Sequence, residues 1–328
     1  MQNRVLLGVA SLCLGVFVFS LQDPLVKSVS SAYPVSEVMA IRALASFPIL
    51  VVLVHLDVGL GALLTTRYIT LTIRGFTQFF SYALYYLAIA ALTLADAVSL
   101  FFMAPLFIMG LASPYLGERI SIGTLAGVLL GLVGVLIMLR PGAGLLDWAA
   151  FLSLGSALLY AFSQVIARHI SETESATTMG FYQNVAYLAG SIVFAVAFRV
   201  AGFTHAEHPS LAFLVRPWVW PTSIDLLKMT ACGVVASAGM VLLSQAYRLA
   251  PANRVATFEY TGMIWTPLWG YVFFAELPRA TTLAGALIII VAGLFALHGS
   301  QHVEKRRHRA IVRAKALESG CRCQLDPP

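Results

Sequence analysis

Long apolar runs separated by short polar breaks extend along almost the whole chain. Each run has about 20 residues, the length that an α-helix needs to cross the hydrocarbon core of a bilayer. Ten runs follow one another, and each predicts a membrane-spanning helix, at residues 5–21, 34–54, 71–92, 95–115, 120–139, 148–167, 177–200, 225–249, 255–275 and 281–297. The pattern therefore predicts an all-α polytopic membrane protein with ten transmembrane helices.

The second half of the chain repeats the first. The stretch 85–139 recurs at 243–297 without a gap, which places Glu118 on Glu276 and aligns two identical Thr-Leu-Ala-Gly segments. A weaker match places polar positions of 19–42 on polar positions of 160–183: Lys27 on Arg168, Asp23 on Gln164 and Arg42 on Gln183. Self-similarity at a fixed offset indicates duplicated structural units.

Each predicted repeat contains five helices, which is an odd number, so the second repeat must enter the membrane from the opposite face. Inverted repeats of this kind are an architecture of secondary transporters, whose substrate site lies near the bilayer midplane between the halves. We expect the first repeat at 5–140, the second at 147–299 and a basic tail at 300–328.

The composition excludes a soluble domain. Of the 328 residues, 59% are hydrophobic and 11% are charged, and the mean hydropathy is +0.84, whereas soluble domains carry about 25% charged residues. The net charge of +6 does not indicate a nucleic-acid partner, because seven of the 21 lysines and arginines lie in the tail. Since cytoplasmic segments are enriched in these residues, we expect both termini on the cytoplasmic side of a bacterial inner membrane, with the lipid bilayer around the helices.

Motifs for energy-driven or hydrolytic chemistry are missing from the sequence. It contains no glycine-rich phosphate loop, metal-ligand spacing or nucleophile elbow. We therefore expect neither an enzyme nor a bound cofactor or metal. The sequence also lacks the phosphate-binding motif that an ATP-driven pump would need. An intramembrane enzyme with catalytic groups scattered over several helices is an alternative class. A receptor or regulator is a third, although the sequence has no soluble sensing domain to support it.

Charged side chains within the apolar runs are candidates for function. Each costs about 2.5–3.5 kcal/mol at a helix centre unless it is paired or faces water. Arg42 lies about eight residues into the second predicted helix, and Asp23 and Glu37 are its candidate partners near the same membrane face. Either Arg42 forms an ion pair that fixes helix one against helix two, or it serves gating or substrate binding.

Glu259, in the ninth predicted helix, is the other deep ionisable group. If it faces a cavity, it would take up a proton or hold a cationic substrate, and if it faces Arg248 or Arg254, it would be a structural partner. Glu118 and Glu276 stand in the short turns before the fifth and tenth helices. Because acidic groups are favourable at helix N-termini, we expect these two to be helix-start or loop partners rather than substrate ligands.

An aromatic and polar stripe follows the third predicted helix, where Gln78, Tyr82 and Tyr85 recur at helical spacing. Such a stripe suits either helix packing or a planar ligand. Together with other polar or aromatic groups of the predicted interior, it gives the candidate substrate-binding or gating residues, which are Gln22, Asp23, Arg42, Gln78, Tyr82, Tyr85, Gln164, Glu259 and Trp265.

The polar breaks also resemble those of a known family, the EamA-type transporters of the drug/metabolite transporter superfamily. The resemblance rests on residues 19–23 with Lys27, on Glu37 and Arg42, and on Gly117-Glu118-Arg119 ahead of Thr124-Leu125-Ala126-Gly127, with its second copy at Glu276. It covers about 5–299 and implies two inverted five-helix EamA repeats that carry a small organic metabolite by alternating access.

The substrate expectation depends on a narrower likeness. Residues 20–27 and 33–38 resemble those of bacterial riboflavin importers most closely. This resemblance implies riboflavin uptake as the first substrate to consider. The same superfamily also carries S-adenosylmethionine, amino acids and other metabolites in either direction, so these are the alternative substrates.

Overall fold

The computed structural model describes residues 2–104, 106–108, 110–111, 122–139, 147–170, 173–203, 205–249, 261–292 and 294–295. These residues contain helices and connecting segments but no β-strand. The α-helices are α1 (Gln2–Ser20), α2 (Gln22–Val29), α3 (Val35–Asp57), α4 (Tyr68–Ala91), α5 (Leu94–Phe101), α6 (Ile122–Leu139), α7 (Ala149–Ile170), α8 (Ala176–Val200), α9 (Pro209–Val215), α10 (Ser223–Leu249), α11 (Gly262–Phe274) and α12 (Ala280–Ala292).

Five helical segments of the described chain are long and apolar enough to cross a membrane: Leu6–Val29, Val35–Asp57, Ala149–Ala167, Ala176–Val200 and Ser223–Met240. Their outer faces carry large apolar side chains such as Leu44, Val193 and Leu227, which are more than half exposed. Small polar residues such as Ser81 and Ser156 are fully buried instead. Because lipid solvates apolar groups and leaves polar groups unsatisfied, this distribution fits a multi-pass membrane protein.

The first membrane-spanning segment extends beyond its predicted end at residue 21, because a second helix follows after a break. Leu21 separates α1 from α2, and Pro24 lies at the third position of α2. Proline has no N–H group, so the carbonyl of Ser20 has no partner four residues ahead, and the helix breaks there.

The segment 201–224 lies between two predicted helices, and the sequence pattern predicts no helix within it. This prediction was wrong, since the segment contains α9. Phe213 of α9 is fully buried, and Ser210 Oγ donates to the Leu87 carbonyl at 2.7 Å.

Helices that the repeat aligns run in opposite directions. The second and seventh predicted helices correspond to α3 and α8, which are antiparallel. The Asn184 amide donates to the Ala43 carbonyl at 2.9 Å, and Thr177 Oγ1, nearer the start of α8, donates to Asp57 at the end of α3. The opposed directions agree with an inverted relation between these two helices.

The third and eighth predicted helices, α4 and α10, are opposed as well. On α4 and α8, Gly75 lies against Ala186 and Phe79 against Phe194, so these two helices are parallel. On α3 and α10, Tyr33, just before α3, reaches Asp225, and Ser46 reaches the Gly233 carbonyl at 2.9 Å, so these two are also parallel. Because α3 and α8 are antiparallel, α4 and α10 must be antiparallel too.

The most extensive helix contacts join the two halves of the chain. They are those of α4 with α7, α1 with α10, α3 with α8, α3 with α10, and α4 with α8. Exchanging each helix for its repeat counterpart converts the first contact into the second and the fourth into the fifth. The main core is built mostly on α3 and α4 of the first half, and Tyr187, Phe213, Met229 and Cys232 of the second half pack into it.

Candidate functional site

Arg42 lies within this core. Its side chain is 5% exposed, and its guanidinium carbon is 5.2 Å from the ring centres of both Tyr82 on α4 and Tyr187 on α8. The two rings supply cation–π attraction, which is stronger where water is excluded. The Nε and Nη1 groups have no hydrogen-bond acceptor among the described residues. A buried guanidinium with unsatisfied donors is costly, so this site has an unused capacity to bind an anion.

Tyrosines and glutamine surround this arginine on the α4 side. Tyr82 packs against Tyr86 and Tyr187 with ring centres 5.9 and 5.8 Å apart. The Tyr187 hydroxyl donates to the Gln78 carbonyl at 3.4 Å, and the side-chain oxygen of Gln78 is buried without a donor in the described chain. The helical spacing of four residues places Gln78, Tyr82 and Tyr86 on the same face of α4.

The break between α1 and α2 places two further polar residues next to the tyrosines of α4. Gln22 Nε2 donates to the Tyr86 hydroxyl at 2.7 Å, and the Tyr85 hydroxyl donates to Asp23 Oδ2 at 2.9 Å. The Gln22 side-chain oxygen is buried and lacks a donor among the described residues. Broken helices near the middle of a membrane are where transporters place substrate-binding groups. We call Gln22, Asp23, Arg42, Gln78, Tyr82, Tyr85, Tyr86 and Tyr187 the central polar cluster.

An ion pair closes the end of the bundle where α2 ends. Lys27 Nζ lies 2.5 Å from Glu276 Oε1 and donates to the Leu92 carbonyl at 2.7 Å. Glu276 Oε2 accepts from the Leu94 N–H at 3.0 Å, at the start of α5. As predicted, Glu276 is a helix-start partner, but of α5 rather than of the following helix. Glu118, its repeat counterpart, lies outside the described residues.

The segment after α9 covers the same end. Trp218 Nε1 donates to Ser36 Oγ at 2.8 Å, and the Val219 N–H donates to Glu37 Oε2 at 3.2 Å. Arg216 Nη1 donates to the Ser30 carbonyl at 2.9 Å. Partial burial lowers the pKa of Arg216 below its usual value, although an arginine stays protonated at neutral pH. These bonds hold the 216–219 segment across the start of α3.

Asp23 and Glu37, the candidate ion-pair partners of Arg42, are bound by other residues. In the described part of the chain Arg42 forms no ion pair. Glu37 lies at the start of α3 and holds the Val219 N–H, while Asp23 is held by the Tyr85 hydroxyl. Arg42 and Asp23 are near enough for an electrostatic interaction, but their charged atoms are not in salt-bridge contact.

The structure brings most of the nine candidate residues together. The cluster contains six of the residues chosen from the sequence: Gln22, Asp23, Arg42, Gln78, Tyr82 and Tyr85. Trp265 lies on α11, where its ring packs edge-on against Phe17 at 4.9 Å, and its buried Nε1 has no acceptor in the described chain. Gln164 is half-buried on α7 and forms no hydrogen bond with another described residue. Glu259 lies outside the described residues.

The sequence analysis missed Tyr86 and Tyr187 as cluster members. Tyr86 was noticeable as the second residue of a Tyr-Tyr pair on the predicted third helix. Tyr187 stands four residues after Gln183, the position that the repeat aligns with Arg42, and the Gln183 amide donates to the Tyr187 hydroxyl at 3.2 Å. The alignment of Arg42 with Gln183 could therefore have directed attention to this tyrosine.

A bundle of apolar helices with a polar cluster buried between its two halves defines the class of protein: a helical membrane transporter. Comparison with known families agrees, because the profile of the EamA-like transporter family matches residues 6–140 and 147–297. The chain belongs to this family, which is part of the drug/metabolite transporter superfamily. The likeness predicted from the polar breaks is thereby confirmed.

Relatives with named substrates share most of their length with the chain. The pseudopaline exporter of Pseudomonas aeruginosa is 30% identical over 286 residues, which are 87% of this chain and 94% of that protein. The S-adenosylmethionine uptake transporter of Rickettsia felis is 27% identical over 77% of this chain and 79% of its own length. The riboflavin transporter of Rhizobium johnstonii is 26% identical over 66% of each. A crystal structure at 17% identity covers 93% of this chain and 99% of its own, with a TM-score of 0.60, and supports the fold.

Proposed function

We propose that this protein is a secondary transporter that moves a small organic metabolite across the bacterial inner membrane by alternating access. The observation that carries the proposal is the central polar cluster. It contains a buried arginine whose Nε and Nη1 have no acceptor among the described residues, and it is built from residues of both halves. A site between two halves can be exposed to either face in turn when one half rocks against the other.

The proposed topology is ten spans in two inverted five-helix repeats, at 5–140 and 147–299. The opposed directions of α3 and α8, and of α4 and α10, support an inverted relation. Both termini and the basic tail at 300–328 are placed in the cytoplasm by the positive-inside rule. In this orientation the Lys27–Glu276 pair and the 216–219 segment close the periplasmic end, so these contacts must break when that end opens.

Two substrate classes are supported by separate observations. Arg42 has N–H groups without acceptors in the part of the chain that the structure describes, and it lies in a low-dielectric surrounding, which favours a metabolite that carries a carboxylate. S-adenosylmethionine, which the Rickettsia felis relative takes up, has such a group. Riboflavin, expected from the sequence, is the second candidate, because Tyr82, Tyr86 and Tyr187 present aromatic rings to the cluster.

A transport assay with both directions measured tests the proposal. Labelled riboflavin, S-adenosylmethionine and amino acids are offered to cells that lack their own uptake system for each compound, with and without this chain. Efflux is followed from cells loaded with the same compounds. We expect saturable transport that the unlabelled compound competes away. If the protein is demonstrably in the membrane and no compound moves in either direction, the proposal fails.

A further inference from the structure

The central polar cluster has unsatisfied groups of opposite kinds. On the Arg42 side, Nε and Nη1 are donors that lack acceptors in the described chain. The side-chain oxygens of Gln22, next to Asp23 in the chain, and of Gln78 on α4 are buried acceptors that lack donors there. Buried polar groups are satisfied in most native proteins, and each exception requires an explanation. A ligand with an acceptor at one end and donors at the other would satisfy both sets.

The Arg42 end fits a carboxylate. Arg42 is 5% exposed. The ring centres of Tyr82 and Tyr187 lie 5.2 Å from its guanidinium carbon, and these uncharged rings do not neutralise it. Nε and Nη1 together provide three N–H donors. Arginine presents its donors in a rigid fork that matches a carboxylate, and such charge-assisted bonds are about twice as strong as neutral ones.

The Asp23 end fits an ammonium group. Asp23 is only half-buried, and one of its oxygens accepts from Tyr85, which orients the carboxylate. The neighbouring Gln22 is held by Tyr86 and keeps its side-chain oxygen free of donors among the described residues. An ammonium has three donors and no acceptor, so a carboxylate and an amide oxygen are suitable partners for it.

We propose that Arg42 and Asp23, with Gln22 beside Asp23, form a two-ended site for a zwitterionic metabolite of the α-amino acid type. Arg42 binds the carboxylate of the substrate and Asp23 binds its ammonium group. The separation of the two protein charges, which interact without pairing, leaves both available to the ligand. The inference rests on the proposed transport function and specifies the substrate class of the same site.

Exchange across proteoliposomes that contain the full-length chain tests the site. The probes are S-adenosylmethionine, decarboxylated S-adenosylmethionine, a mixture of labelled amino acids, and riboflavin. The decarboxylated compound differs from S-adenosylmethionine only by the lost carboxylate. We expect exchange of at least one amino-acid-type probe, and S-adenosylmethionine to compete for it at least about tenfold better than its decarboxylated form, because a hydrogen bond to a charged group is worth roughly a factor of ten or more in affinity.

Variants assign the effect to the two residues. Arg42→Lys keeps the charge but loses the fork, and we expect at least a tenfold weaker preference for the carboxylate. Asp23→Asn should weaken binding of compounds with an ammonium group. Arg74→Lys is the matched control, since Arg74 is also buried but donates to the Met179 carbonyl at 3.3 Å. Elution of each variant as a single peak in size-exclusion chromatography excludes misfolding as the cause.

Each remaining outcome overturns the inference. Equal competition by S-adenosylmethionine and its decarboxylated form would do so, and so would loss of the preference in Arg74→Lys rather than Arg42→Lys. Exchange of riboflavin alone would overturn the zwitterion site while leaving the transport function intact. Absence of exchange with all probes would remove both.

Discussion

The Lys27–Glu276 pair should contribute strongly to stability, and replacing one partner tests this. Its side chains are 14% and 22% exposed, and the charged atoms are 2.5 Å apart. Removing one partner of a buried pair leaves the other charge uncompensated and costs about 3–5 kcal/mol. Among the described residues, Lys27→Met leaves the Glu276 carboxylate with the Leu94 N–H as its hydrogen-bond donor. Because this pair is partly exposed, we expect a loss at the lower end, about 3 kcal/mol.

Thermal unfolding followed by intrinsic fluorescence in detergent or nanodiscs measures the loss. The unfolding entropy is about 2.1 cal/mol/K per residue, so for a chain of 328 residues a change of 1 kcal/mol shifts Tm by about 1.5 °C. We therefore expect Lys27→Met to lower Tm by roughly 4–5 °C. Glu276→Gln keeps an acceptor for Leu94 and should cost less. The double variant should cost less than the sum of the two single variants by about 1–3 kcal/mol, since the residues interact directly.

The chain offers a control for this measurement. Lys228 and Asp225 are three residues apart on α10, with atoms 2.8 Å apart, and Lys228 is 33% exposed. Because this pair spans a single turn of one helix and its lysine is more exposed than Lys27, it should be worth at most about 1 kcal/mol, so Lys228→Met should lower Tm little. If Lys27→Met and Lys228→Met lower Tm equally, or if the double variant is fully additive, the reasoning about the Lys27–Glu276 pair is refuted.

Three further predictions concern packing, backbone strain and coupling. A Cβ at Gly233 would lie 2.5 Å from the Arg42 carbonyl oxygen, so Gly233→Val should separate α3 from α10 and reduce both Tm and transport, whereas Gly155→Ala, with its nearest atom at 3.5 Å, should change neither. Ala275 follows the last residue of α11 at a φ of 53°, a conformation that costs a non-glycine residue about 1 kcal/mol, so Ala275→Gly should raise Tm by about 1–2 °C, and a decrease would contradict the strain. Glu259→Gln should abolish the pH dependence of transport if this residue is the proton site, and an unchanged pH profile in proteoliposomes would reject that role.

Several membrane-spanning helices were predictable from the sequence because the length of an apolar run is a local property. The runs at 34–54 and 177–200 correspond to α3 and α8 within a few residues. Polar groups inside these runs were also a sound guide, since a membrane-spanning segment tolerates such groups only where the bundle buries them. Arg42, Gln78 and Tyr82 lie in the same cluster for this reason.

Side-chain partners were less predictable, because they depend on which helices pack together. Asp23 and Glu37 are the acidic residues near Arg42 along the chain, yet the rings beside its guanidinium belong to Tyr82 and Tyr187. The alignment of Arg42 with Gln183 indicates the neighbourhood of Tyr187 on α8, but it does not show that the ring packs against the guanidinium. Likewise, the short helix α9 has too few residues for a periodic pattern, and only its contacts with α4 explain it.

The placement of the two rings beside Arg42 also has a consequence for biogenesis. Tyr82 belongs to the first half, but Tyr187 is made 145 residues after Arg42, the difference between their numbers. At a synthesis rate of about 5–20 residues per second, Tyr187 is synthesised roughly 7–30 s after Arg42. Until then the guanidinium has only the Tyr82 ring of this pair available to it. During that interval the first half lacks its main packing partners, so it depends on the insertion machinery or on chaperones. A chain that terminates prematurely between the halves should therefore be degraded rather than accumulate as a stable five-helix fragment.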